Sequence, residues 1–279
     1  MHLHISHETV YVYEAPLSRS TQYLRLTPRG APGVQVLDWQ LTLPGPATRC
    51  EDAFGNPLHV LSLDGPRREI HLIARGEVIT CDDAPRPQPP DGLPTQLFLR
   101  DTPLTRADAA LAAFAAGFAP AAQNAPHEAL MALMRQLGER MPYVQGATDA
   151  ATAAAQAFAS GHGVCQDHAQ VFVACARRLG LPARYVSGYL ATDAEHVASH
   201  AWAEVFLPAG EDGAAGWLGY DVSNQCLANG RHVKLAIGAD YLDACPVRGV
   251  RLGGGLETLH ALVQVRPRDA ATAAPGADQ

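Results

Sequence analysis

The 279-residue sequence contains no CxxC pair, no acidic loop of the EF-hand type, no internal repeat and no apolar run of membrane-spanning length. Each absence removes a class of protein. Six cysteines at irregular spacing (Cys50, Cys81, Cys165, Cys175, Cys226 and Cys245) suggest neither a zinc ribbon nor a disulfide framework. Positive charge is short: 21 Lys and Arg stand against 28 Asp and Glu. The resulting formal charge of −7 argues against a nucleic-acid partner, which needs clustered cations. Without an apolar run of about 20 residues no helical membrane span is expected. The opening "MHLHISHETVYVYEAP" has no basic leader ahead of an apolar stretch, so the expectation is a cytoplasmic chain with reduced thiols. Nothing in the sequence calls for calcium or any other cofactor.

What is present is the composition of a globular protein, 47% hydrophobic and 18% charged, long enough for one large domain or two ordinary ones. The first eighty residues read as strands. "LDWQLTL" alternates Leu37, Trp39, Leu41 and Leu43 with polar residues, the period of a half-buried strand. "TVYVY", "QYLRL", "LHVLSL" and "EIHLIARGEVIT" look similar and are separated by turn material. "CDDAPRPQPPDGLPTQ" then places five prolines between Pro85 and Pro94, which remove donors and predict a linker.

Beyond it the period becomes helical. "TRADAALAAFAAGF" opens on Thr105 and Asp108 in the manner of a capping box, and "PHEALMALMRQLGERM" has Pro126 at a first helical position. "TDAATAAAQAFASG" is expected to end at Gly161. A fourth helix begins near Cys165, shows Ala169, Phe172, Ala176 and Leu179 on one face, and stops at Gly180 and Pro182. Three strand-like runs follow. The expected fold is therefore α+β: a β-rich, antiparallel sandwich-like domain over 1–82, a linker over 83–100, a second domain over 101–265 and a disordered tail over 266–279.

The chemistry concentrates around "SGHGVCQDHAQVF". A helix N-terminus stabilises a thiolate through free N–H groups and the dipole, and Gly161 and Gly163 permit the tight approach to it. Cys165 is thus a candidate nucleophile. Read as a strand, "SHAWAEVFLP" puts Ala201, Ala203, Val205 and Leu207 on a core face, leaving His200, Trp202, Glu204 and Phe206 on the other. A hairpin symmetric about residues 210 and 211 would set Asp221 of "GWLGYDV" opposite His200, where a carboxylate can orient an imidazole. Cys165 as nucleophile, His200 as base and Asp221 as orienter form the logic of cysteine acyl transfer. Asp167 is expected to cap or support the first turn of the helix, Cys175 to be a buried structural thiol, and Cys226 a loop thiol. A zinc site drawing on His162, Cys165, His168 and the His196–His200 pair is the rival reading, and it leaves Asp221 without a role.

"GHGVCQDHAQVF", "LGLPARYVSGYL", "SHAWAEVFLP" and "GWLGYDVSN" resemble the transglutaminase-like superfamily, specifically its bacterial members, often labelled cysteine proteases. "LRLTPR" and "DAFGNP" resemble the β-rich N-terminal domain of that group, and "HVKLAIGADYLDACPVRGV" carries the resemblance to about residue 255. Val222–Ser223 departs from the proline and threonine that follow the aspartate in many relatives. The resemblance implies a papain-like core with the cysteine helix packed on an antiparallel sheet. It also implies a thioester acyl-enzyme formed from an amide of a protein or peptide. An amine would resolve it as a transglutaminase does, and water as a peptidase, amidase or deamidase does. The Cys165 N–H is the expected first oxyanion donor, with Tyr143 and Gln145 candidates for a second and Gln166 and Asp167 in support. A non-catalytic binding scaffold on the same fold is the remaining alternative.

Overall fold

The computed structural model describes residues 1–81, 85–192, 199–209 and 215–267. Two long strands, β1 (His2–Leu24) and β4 (Pro57–Thr80), pair antiparallel along their length and form the spine of the first sheet. "TVYVY" and "QYLRL" are therefore one strand, as are "LHVLSL" and "EIHLIARGEVIT". Both strands bend at the same level: the register shifts between Val12 and Arg19, opposite the stretch holding Gly65 at φ +90°. Only glycine adopts that angle cheaply, so the bend sits where the sequence permits it.

β2 (Val34–Thr42) pairs with one half of β4, and β3 (Ala47–Glu51) with the other. The bend brings side chains of both halves, among them Tyr11, Leu17, Leu24, Leu61, Ile70 and Leu72, into one buried cluster, so the sheet folds on itself in sandwich fashion. The remaining two strands come from the far end of the chain. β10 (Val247–Gly253) and β11 (Glu257–Pro267) pair with the two halves of β1. Residues 247–265, grouped by sequence with the second domain, thus complete the first sheet, and Arg266 and Pro267, read as tail, belong to β11; residues 268–279 lie outside the described part.

The described part of the proline-rich stretch is docked. Gln88 exchanges two backbone hydrogen bonds with Trp217 (2.7 and 2.8 Å), and Phe98, in a 3₁₀ turn over Thr95–Leu99, is fully buried. The helices follow: α1 (Ala109–Ala116), α2 (Ala119–Asn124), α3 (Pro126–Arg140), α4 (Ala154–Ser160) and α5 (Cys165–Arg178). Asp108 caps α1, accepting from the Leu111 N–H at 2.8 Å. Thr105 is not part of that cap; it is buried and receives a hydrogen bond from Arg177 at 2.7 Å. Gly161, at φ +69°, ends α4 as read from the sequence.

The second sheet is wholly antiparallel, ordered β8 (Cys226–Leu227), β7 (Gly216–Asp221), β6 (His200–Leu207), β5 (Ala183–Leu190), β9 (His232–Gly238). A short helix, α6 (Tyr241–Ala244), follows β9. α5 is buried from Asp167 to Arg177 and packs on this sheet through Val171, Phe172, Cys175, Ala203, Val205, Leu218 and Tyr220. That is the apolar face predicted for β6. No helix among the described residues is long and apolar enough to cross a membrane.

Candidate active site

The loop before α5 is built for a cramped helix start. Gly163 lies where a Cβ would come within 2.7 Å of the Asp167 Cβ, and Asp167 turns back to accept the Val164 N–H at 2.8 Å. Thr148 donates to the same oxygen at 2.6 Å. Asp167, fully buried, is thus the supporting residue of the first turn expected from its position. Cys165 occupies the first helical position, half-buried against Ala169, Tyr185, Ala201, Ala236 and Ala244. At that position a backbone N–H has no acceptor within the helix.

His200 opens β6 with Cys165 on one side, near enough to favour its charged form. On the other its Nε2 donates to Asp221 Oδ2 at 2.7 Å. The three residues named from sequence therefore converge, but not by the expected register. β6 and β7 pair Ala203 with Tyr220 and Glu204 with Gly219. Continuing that ladder sets Ser223, not Asp221, opposite His200, two residues beyond the partner expected from the symmetric hairpin. A shift of two residues along one strand keeps the face, since side chains alternate with period two. Asp221 reaches His200 diagonally.

Both side chains are buried, and their charges depend on each other. Burial alone would suppress the imidazolium of His200, yet its hydrogen bond to Asp221 and the nearby Cys165 outweigh that and push its pKa up to about 10. Burial likewise disfavours the Asp221 carboxylate, and the two histidines it meets hold its pKa far below the usual range. The second is His232, whose Nε2 lies 3.1 Å from the same Oδ2. Asn224 completes the shell: its side chain donates to Oδ2 at 2.7 Å and its backbone N–H to Oδ1 at 3.2 Å. Trp202 stacks on His200 at 6.2 Å between ring centroids and meets His232 edge-on at 5.2 Å.

Gly188 makes room for this array. It pairs with His200 on one side and Lys234 on the other, and a Cβ there would fall 2.3 Å from the Val233 carbonyl and 2.6 Å from the Trp202 ring. Gly188→Ala is expected to cost about 1–3 kcal/mol by overpacking. Thermal denaturation with a wild-type melting temperature would refute it.

The other candidates are placed as follows. Tyr143 pairs by its backbone with Gly163 and is half-exposed beside the helix start; burial and the nearby Cys165 raise its pKa. Gln145 is exposed, and Gln166 donates to the Asp149 carbonyl at 3.2 Å. Cys175 is buried and its thiol pKa is pushed far up by burial. Cys226 is a strand residue paired with Asp221, not a loop thiol, and burial raises its pKa. Of the residues in the zinc reading, His168 has both ring nitrogens engaged, by Ser223 Oγ (2.9 Å) and the Met141 carbonyl (2.8 Å), and His196 lies outside the described residues. Ser223, the departure noted in sequence, thus fixes His168. Among the described residues the His, Cys, Asp and Glu cluster with metal-like spacing is His200, Asp221 and His232, which are joined by hydrogen bonds to one another. Sequence reading missed His232 and Asn224, and only the starting "H" of "HVKLAIG" could have hinted at the first.

Comparison with known proteins places the chain in a family. Residues 112–222 match the transglutaminase-like superfamily core, and residues 3–79 match the bacterial transglutaminase-like N-terminal region. The chain belongs to the transglutaminase-like superfamily. An uncharacterized protein of Mycobacterium tuberculosis is 31% identical over 277 residues, covering 88% of this chain and 86% of that protein. One from Mycobacterium leprae is 28% identical over 281 residues, covering 94% and 98%. The crystal structure of a candidate cysteine protease from Cytophaga hutchinsonii superposes with a TM-score of 0.73 at 20% identity, over 95% of this chain and 90% of that one. This superfamily member therefore has the α+β architecture and papain-like core that its sequence resemblance implied.

Proposed function

We propose that the protein is a thiol-dependent acyl-transfer enzyme acting on amides of proteins or peptides, with Cys165, His200 and Asp221 as its catalytic residues. One observation carries this reading: Cys165 starts a buried helix and meets an imidazole whose far nitrogen is held 2.7 Å from a buried carboxylate. The Cys165 thiolate attacks the amide carbon, and the oxyanion forms beside the free Cys165 N–H. As the C–N bond breaks, the His200 imidazolium protonates the departing amine or ammonia, leaving a thioester. A second nucleophile, amine or water, gives its proton to His200 and attacks the thioester, and the thiolate leaves.

Amine as acceptor gives transglutamination; water gives hydrolysis or deamidation. Lys234 is the single lysine of the chain and is buried in an ion pair with Glu204, so a lysine acceptor comes from another molecule. The reading is tested by iodoacetamide alkylation against pH, mapped peptide by peptide for all six cysteines in wild type and His200→Ala. Cys165 is expected to react fastest below about pH 7, where free thiols of pKa ~8.5 are sluggish, and to lose that lead in the variant. A Cys165 indifferent to His200 would instead favour the scaffold reading.

A further inference from the structure

Asp221 is a buried carboxylate serving two imidazoles through one oxygen. Acyl transfer as proposed above needs only one of them. The Asn229 backbone N–H and the Asn229 Oδ1 both lie against His232 Nδ1, at 3.2 and 3.4 Å. On its other side the ring meets Asp221, and a carboxylate can only accept, so His232 Nε2 directs a proton at Oδ2.

The ring is also held from behind. His232 closes a tight turn through its own N–H to the Asn229 carbonyl at 2.9 Å. The first domain then clamps β9 on both sides of it. Thr80 donates to the Gly230 carbonyl (2.5 Å), the Arg29 N–H to the Lys234 carbonyl (2.9 Å), and Asn56 both donates to and accepts from the Ile237 backbone (2.8 and 2.9 Å). Asn56 belongs to "DAFGNP" and Arg29 to "LRLTPR", the two stretches that mark the N-terminal domain.

We infer that His232 is a positioning residue of this site: its Nε2–H fixes the Asp221 carboxylate in the orientation that presents Oδ2 to His200, and the N-terminal domain holds His232 in place through β9. The inference rests on the acyl-transfer reading. The groups facing His200 are Cys165 from α5, Asp221 at the end of β7 with Asn224 beyond it, and His232 from β9. Glu204, further along the same face, is neutralised by Lys234 and Arg184.

Two variants of the full chain separate positioning from packing. The His232→Gln amide nitrogen reaches nearly as far as Nε2 and can still donate; His232→Leu fills similar space and cannot. In protein labelled at the histidine nitrogens, the His200 Nε2 proton is expected to exchange with solvent about 10-fold faster in His232→Leu, the lower end of what losing such a supporting partner costs. Alkylation of Cys165 should slow by a similar factor, with glutamine restoring both to within about threefold of wild type. If the leucine variant does not fold, His232→Asn, whose shorter amide falls short of Oδ2, replaces it in the comparison. Wild-type exchange in the donor-free variant, or equal loss with glutamine and leucine, overturns the inference. A wild-type Cys165 no more reactive than the other cysteines defeats the acyl-transfer reading instead, while the exchange of the His200 proton still decides the placement of His232.

Discussion

Replacing Cys165 by alanine is expected to abolish amide turnover, leaving only the background of uncatalysed hydrolysis. Among the described residues, neither of the other cysteines near the second sheet, Cys226 and Cys245, is suited to take over the covalent step. Cys226, paired with Asp221, has its pKa raised by burial and by that carboxylate, which keeps it in the unreactive thiol form. Cys245 is buried, with its pKa pushed up to about 11. The thiol of Cys165 is half-buried at a helix start, so its loss should change stability by only about 1 kcal/mol or less. Turnover of a peptide amide, with and without an added amine, alongside a thermal melt reads both effects. Retained activity in a folded Cys165→Ala protein would remove the nucleophile from the mechanism.

Asp221→Asn should lower kcat by about 10⁴-fold, the scale seen when a triad loses its orienting carboxylate. The cause here is specific. Oδ2 accepts from His200 and from Asn224, with the His232 Nε2–H beside them, while Oδ1 accepts from the Asn224 N–H. An amide can keep oxygen on only one side, so either orientation sets an NH₂ against existing donors. The pH behaviour follows the same contacts. His200, with its pKa raised from 6.5 to about 10, contributes stability that is complete below about pH 6.5 and is lost as pH rises through about 10. Asp221, depressed, contributes stability that is complete above its ordinary 3.8 and is lost only on stronger acidification. In Asp221→Asn the His200 midpoint should therefore fall back toward 6.5, as measured by imidazole NMR. An unchanged midpoint with full activity would mean that another group orients the base. Asp167 is a poor substitute, since one of its oxygens is committed to Val164 and Thr148.

The outcome for the β6–β7 hairpin shows how sequence reading can reach the right side chains through the wrong register. Alternation told which residues of "SHAWAEVFLP" face the core, because that pattern is local and has a period of two. The centre of the turn was not local information: "PAGEDGAAG" offers several equivalent glycine positions, and only pairing across the ladder chooses among them. The error was harmless because it was even. An odd slip would have turned Asp221 into the core and left His200 without a carboxylate.

By itself the sequence determined the strand-then-helix order, the helix starting at Cys165, the glycine stop at Gly161 and the three residues that meet there. Each rests on short-range physics: side-chain period, capping geometry, and the left-handed angle that glycine tolerates. Tertiary structure alone decided that β10 and β11 return to complete the first sheet, that Gln88 and Phe98 dock the proline-rich stretch, and that His232 joins His200 at Asp221. Those contacts join residues far apart in the chain, or set a register between strands. They are selected by which buried donors and acceptors can all be satisfied at once, a condition no single stretch of sequence contains.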